Sequence, residues 1–89
     1  WFAKKIARET IAIELAAVAK LESSINDDFV NAINLILSTK GRLIVAGIGK
    51  SANIANKMVA TFNSTGQPAV FLHAADAIHG DLGNIQEGD

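Results

Sequence analysis

The chain has no cysteine and only one proline among its 89 residues. Without thiols it forms no disulfide framework and offers no thiolate to a metal, so any binding chemistry must come from other side chains. It also lacks a basic excess: 8 Lys and Arg against 9 Asp and Glu leave a net charge of -1, which gives no electrostatic footprint for nucleic acid. No apolar run approaches the ~20 residues of a membrane span, and no secretory leader pattern is present. These absences predict a cytoplasmic protein with neither a membrane nor a nucleic acid as partner. Trp1 stands where an initiator Met would, and the chain stops just after a turn-like Asn84-Ile85-Gln86-Glu87. An excerpt of a longer domain is expected, since domains usually run to roughly 100–200 residues. Hydrophobic residues make up 49% and the mean hydropathy is +0.26, a balance that predicts apolar surface covered by further strands or by a second subunit.

The most informative stretch is Arg42-Leu43-Ile44-Val45-Ala46-Gly47-Ile48-Gly49-Lys50-Ser51. Leu43 to Ala46 is short, apolar on both faces and rich in branched residues, as in an interior strand of a parallel sheet. Gly47 and Gly49 permit backbone conformations and close approaches that a Cβ would block. Beyond them Ile54, Ala55, Met58, Val59 and Phe62 recur at helical spacing, with Asn53, Asn56, Lys57 and Asn63 on the polar face. Ser51 is a suitable N-cap. A helix N-terminus offers unpaired N–H groups and the positive end of the helix dipole, so an anion fits over this turn with Lys50 beside it. A Walker A loop is excluded because Ile44 occupies the position of its first glycine. Gly47, Gly49 and Ala52 satisfy the looser dinucleotide fingerprint, yet Gly66 to His73 contains no carboxylate for a ribose. A small phosphorylated ligand fits better. Glycines between strand and helix also serve simply to make a tight connection, and that reading stays open here.

Upstream, Phe2 to about Leu21 is alanine-rich and free of Gly and Pro, which predicts a helix. Its broad apolar surface, with Phe2, Ile6, Ile13, Ala17 and Leu21 in one stripe, suggests a subunit contact; Lys5 and Glu9 are spaced to pair. Asn26, then Asp27 and Asp28, starts a second helix with the stripe Phe29, Ile33, Ile36 and Leu37, and Gly41 suits a left-handed C-cap. Downstream, Ser64-Thr65-Gly66-Gln67-Pro68 ends the third helix and Ala69 to His73 forms a second buried strand, with Pro68 at its start. Two strands joined by one helix are parallel, with a right-handed crossover. The expected organisation is two helices over residues 1–40, then strand, glycine-rich loop, helix, second strand and histidine-containing loop over 41–89.

Ligands of open α/β sheets lie at the carboxyl ends of strands, so Gly47 to Ser51 and His73 to His79 share one rim. His73, Asp76, His79 and Asp81 fall within nine residues there. Imidazole and carboxylate bind metals or move protons near neutral pH, although a surface histidine is often merely solvated and Asp76 or Asp81 can simply cap short turns.

Three pieces resemble a known family: Gly-Ile-Gly-Lys-Ser at 47–51, Lys-Met-Val-Ala-Thr-Phe-Asn-Ser-Thr-Gly-Gln-Pro at 57–68, and His-Ala-Ala-Asp-Ala-Ile-His-Gly-Asp-Leu-Gly at 73–83. In this order and spacing they are similar to the first half of a sugar isomerase (SIS) domain, and specifically to the D-arabinose 5-phosphate isomerases of Kdo and lipopolysaccharide biosynthesis. The resemblance implies an α/β three-layer sandwich with a five-stranded parallel sheet, a homo-oligomer (dimer or tetramer) with sites at subunit boundaries, and a cofactor-free interconversion of two pentose 5-phosphates through an enediol. It implies a catalytic role for Lys50, substrate binding by Gly47, Gly49, Ser51, Gly66, Gln67, His73 and His79, and inhibitory zinc on His73. The family's main phosphate cradle, Ser-x-Ser-Gly-x-Thr, and its other acid and base residues are expected beyond Asp89. Ala52-Asn53 replaces the usual Gly-His, and His73-Ala74-Ala75-Asp76 replaces His-Pro-Ala-Glu, which shortens a carboxylate. A sugar-phosphate-sensing SIS module without chemistry, or an SIS isomerase of another sugar phosphate, are the alternatives.

Overall fold

The computed structural model describes residues 2–89, which divide into one unit reaching to Leu35 and a second from Ile36 to Asp89. The first contains α1 (Ala3–Lys20), a single 3-10 turn over Leu21–Ser24 and most of α2 (Asp27–Ser38), which crosses the division. An 18-residue helix forms where no glycine or proline interrupts the run. Lys5 and Glu9 approach to 3.9 Å on the exposed surface, a pair worth about 0.3–0.5 kcal/mol in a helix. Asn26 caps α2 as the sequence predicts: its Oδ1 accepts from the Phe29 N–H at 3.2 Å. Neither helix buries a residue. Phe2, Ile6 and Ile13 remain 69%, 52% and 71% exposed, so the broad apolar surface read from the sequence is present and uncovered in this chain.

The second unit is a parallel β-α-β arrangement. β1 (Leu43–Gly47) and β2 (Ala69–His73) pair in parallel with Leu43 opposite Ala69 and Gly47 opposite His73. Between them α3 (Lys50–Ser64) packs on both strands. The core lies at that contact: Ala52, Ala55, Ala69 and Leu72 are the buried apolar residues among those described. Alanines bring the helix close to the sheet. Val59 and Phe62 continue the same face, half-buried, whereas Ile54 is 64% exposed and so does not belong to the face that meets these two strands. Pro68 sits just before β2, where its missing N–H costs nothing and its carbonyl accepts from Leu43 at 2.8 Å.

Two expectations are corrected. Gly41 has no left-handed backbone; α2 ends at Ser38, and a Cβ on Gly41 would collide with the backbone of Gly88 and Asp89. Its role is close approach. Asn63 does not stand idle on the polar face. Its amide accepts from the Ala69 N–H at 2.9 Å and donates to the Ala69 carbonyl at 3.0 Å, so it satisfies both backbone groups of β2's first residue as a neighbouring strand would.

The chain's return closes at the amino end of β1. After α4 (Ala74–Ile78) and a 3-10 turn over Asp81–Asn84, Asp89 reaches Arg42. Arg42 donates through Nη2 at 2.8 Å and Nε at 3.2 Å, its backbone N–H adds a bond at 3.0 Å, and the Gln86 N–H another at 2.8 Å. Arg42 also reaches the Asn84 carbonyl at 2.8 Å. The Asp89 side chain is 3% exposed. Hydrogen bonds from the Arg42 guanidinium, then from the Gln86 N–H, hold its carboxyl well below the usual carboxylate range against a smaller opposing cost of burial. Because the folded value is depressed, the stabilisation is complete above the ordinary value of 3.8 and is lost as pH falls through the lower folded value. In the full-length protein, thermal unfolding followed from pH 6 down to pH 2 is expected to show a steep loss of stability below about pH 4 that Asp89→Asn flattens; parallel curves for the two proteins would contradict the clamp.

Candidate active site

The turn from β1 into α3 uses its two glycines differently. A Cβ on Gly47 would stand 2.9 Å from the Ser51 carbonyl carbon and oxygen and 3.0 Å from the Ala52 nitrogen, so this glycine lets the helix start directly against the strand end. Gly49 has φ 59 and ψ -131, a conformation essentially reserved for glycine, with open space around it. It reverses the chain. The expectation that Ser51 caps the helix is corrected: α3 begins at Lys50, Gly49 is the N-cap, and no side chain accepts from the helix end. Gly49 occupies the cap position because only glycine adopts its backbone angles, and Ser51 falls inside the first turn. The Lys50 and Ser51 N–H groups therefore have no side-chain cap, whereas the Ala52 N–H bonds to the Gly49 and Ile48 carbonyls at 3.1 and 3.3 Å.

Lys50 is the first residue of this helix and is exposed. A cation here adds to the positive end of the dipole, an arrangement unfavourable by about 0.3–1 kcal/mol unless an anion arrives. Among the described residues no hydrogen bond or ion pair engages the Lys50 or Ser51 side chain. The site is thus a concentration of donors without acceptors.

Strand pairing brings His73 to the same rim, with Gly47 and His73 as partners in register. His73 ends β2 and is also the N-cap of α4, its Nδ1 accepting from the Ala75 N–H at 3.2 Å. Its ring meets Phe71 edge-on at 6.2 Å and 85°. His79 is the C-cap at the other end of α4 and is exposed. Asp76 lies in the first turn of α4, favourable to the dipole, and Asp81 opens the following 3-10 turn. Neither carboxylate accepts a capping hydrogen bond: His73 caps α4, and the 3-10 turn has no side-chain cap.

Two candidates do not join the rim. Gly66 and Gln67 precede β2, and at about 3.3 Å per residue the strand separates them from His73 by roughly 15 Å. Parallel pairing puts them with Pro68 beside Leu43, at the amino edge of this chain's strand pair. The Gln67 N–H bonds to the Phe62 carbonyl at 2.9 Å, which ties this turn to the end of α3. Sequence reasoning missed the Asn63 bracket and the Arg42–Asp89 clamp. It also missed the capping by His73, although Ala74-Ala75-Asp76-Ala77-Ile78 after a histidine carries a weak helical signal.

Among the described residues no three His, Asp or Glu side chains group to hold an ion, and the Nδ1 lone pair of His73 is already engaged. A labile inhibitory contact on His73 would have to compete with the Ala75 N–H.

A family profile described as SIS domain matches residues 36–89, the span of the second unit. Arabinose 5-phosphate isomerase GutQ of Escherichia coli K12 is 49% identical over 82 residues, covering 92% of this chain and 26% of that protein. A probable arabinose 5-phosphate isomerase of Haemophilus influenzae is 49% identical over 85 residues, 96% of this chain and 25% of that one. KdsD of Pseudomonas aeruginosa, also named an arabinose 5-phosphate isomerase, is 48% identical over 83 residues, 93% and 26%. The chain thus spans about a quarter of the length of these relatives. Among solved structures, Escherichia coli CFT073 c3406 in complex with arabinose 5-phosphate superposes with a TM-score of 0.91 at 38% identity, over 98% of this chain and 46% of that one.

Gly47→Ala is expected to destabilise the full-length protein by about 1–3 kcal/mol through overpacking against backbone that has no free rotamer to move. Denaturant unfolding measures it; an unchanged midpoint would mean that the helix start is not pressed against the strand.

Proposed function

Because the chain belongs to the SIS domain family, we propose that the whole protein is an aldose-ketose isomerase interconverting D-ribulose 5-phosphate and D-arabinose 5-phosphate, on the route to Kdo and lipopolysaccharide. The observation that carries this reading is the uncapped start of α3 with Lys50 on it, facing a strand register that ends in His73. The names of the similar proteins support the substrate, and the complex with arabinose 5-phosphate supports a sugar phosphate as ligand. In the proposed reaction a proton moves between C1 and C2 through an enediol. Charge forms on the carbonyl oxygen, and fixed positive groups lower the barrier most where they meet charge that is absent in the ground state. Lys50 supplies that charge. His79 binds a hydroxyl or assists ring opening, and the proton-transfer base and main phosphate cradle are placed outside this stretch.

The reaction is proposed to need no cofactor. The protein is taken as a cytoplasmic homo-oligomer, dimer or tetramer, in which the exposed apolar residues of α1 and α2 are covered; no described helix is long and apolar enough to cross a membrane.

Lys50→Ala is expected to lower kcat by at least tenfold with a smaller change in KM, because an interaction confined to the transition state acts on the chemical step. Near-normal turnover would remove Lys50 from the mechanism, and tight binding of D-arabinose 5-phosphate by the wild type without turnover would favour a sensing module. Chelation is expected to leave activity intact. Added micromolar zinc should inhibit, and His73→Ala should be less sensitive; equal sensitivity of the two proteins would take His73 out of zinc binding.

A further inference from the structure

The segment that follows β2 is held at its far end rather than by packing. Every residue from Ile78 to Glu87 is exposed, and neither α4 nor the 3-10 turn after it contains a buried residue. A stretch with so little burial opens at low cost unless something else ties it down. Two glycines add pivots: Gly80, directly after His79, has φ 124, and Gly88, directly before Asp89, has φ 94. The tie is the Arg42–Asp89 clamp. Each carboxylate oxygen accepts twice, Oδ1 from the Arg42 N–H and Nε at 3.0 and 3.2 Å, Oδ2 from Arg42 Nη2 and the Gln86 N–H at 2.8 Å each, which uses every lone pair the carboxylate presents. The same guanidinium reaches back to the Asn84 carbonyl at 2.8 Å, and the Thr39 hydroxyl donates to the Gly88 carbonyl at 3.3 Å. Gly41 lacks the Cβ that would strike that carbonyl, so the lead-in to β1 and the returning chain meet backbone to backbone.

We propose that Arg42 and Asp89 are positioning residues for the opposite edge of the strand pair: their clamp at the amino edge holds the segment from Ala74 to Gly88 and so fixes where His79 stands relative to the rim. Along β1, Arg42 is about 16 Å from Gly47, so on this chain's rim the clamp acts through the backbone it holds and not by contact. The hold itself stands on the geometry of this chain; only the last link, from His79 to the sugar, rests on the isomerase reading. Catalysis is sensitive to such a hold, because a group displaced by about 1 Å by a change far from the chemistry can cost on the order of a hundredfold in rate.

Two substitutions loosen the clamp in different ways. Asp89→Asn keeps the shape but turns a donor toward donors, since both oxygens already accept twice. Arg42→Lys keeps the charge but loses the fork that spans Asp89 and Asn84 together, and it serves if Asp89→Asn does not fold. In the full-length enzyme with D-arabinose 5-phosphate, either variant is expected to lower kcat/KM by about tenfold to a hundredfold. Made on top of His79→Ala, the same change is expected to cost less than about twofold more, because a residue that acts through His79 has nothing left to position. A merely structural role would give the same loss in both backgrounds, and that result, or unchanged activity of both clamp variants, overturns the positioning of His79. Independently, amide hydrogen exchange of the ligand-free protein at neutral pH should quicken from Ile78 to Glu87 in the clamp variants while β1, β2 and α3 keep their protection. Equal exchange of that segment in variant and wild type overturns the hold. An inactive wild type would instead sink the isomerase reading, leaving the exchange result to decide the hold by itself.

Discussion

The rim depends on how closely the first turn of α3 approaches the end of β1. Gly47 removes the one atom that would collide with the Ser51 and Ala52 backbone, and Ala52 and Ala55 keep the rest of the contact thin. Dense packing leaves little room to shift, so the helix axis and with it the uncapped N–H groups are set by small side chains alone. A larger residue at any of these positions would tilt the helix start away from the strand pair, and Lys50 would move with it.

The Lys50 ammonium and the Lys50 and Ser51 N–H groups supply donors at the start of α3, and Asp76 and Asp81 stand on the segment after β2 with no hydrogen bond to their carboxylates among the described residues. Donors of this kind recognise oxygen that is anionic or becoming so, which suits them to the electrostatic half of the proposed reaction.

The features legible in the sequence are those whose signals are local. Helical periodicity announced α1 to α3, Asn26 with its following aspartates announced a cap, Pro68 marked the start of β2, and the order strand, glycine turn, helix, strand implied parallel pairing. Boundaries failed where two signals competed: serine is a better cap than glycine by propensity, yet the backbone angles at position 49 admit only glycine, and the cap moved there. Long-range partnerships carried no signal. Arg42 and Asp89 are 47 positions apart, and nothing in either neighbourhood names the other.

Strand direction gives the unit its division of labour. A parallel pair has a carboxyl edge and an amino edge, and every loop belongs to one of them. Gly47 to Ser51 and His73 lie at the first; Gly66, Gln67, the Asn63 bracket and the Arg42–Asp89 clamp lie at the second. The segment from Ala74 to Asp89 runs between the edges, tied to the rim through His73 and to the base through Asp89. The His79 side chain has no hydrogen bond among the described residues, and its backbone N–H bonds to the Asp76 carbonyl at 3.1 Å. Its position is therefore inherited from two anchors, the His73 ring at one end and the Asp89 carboxylate at the other, and a change at either end reaches it through the backbone.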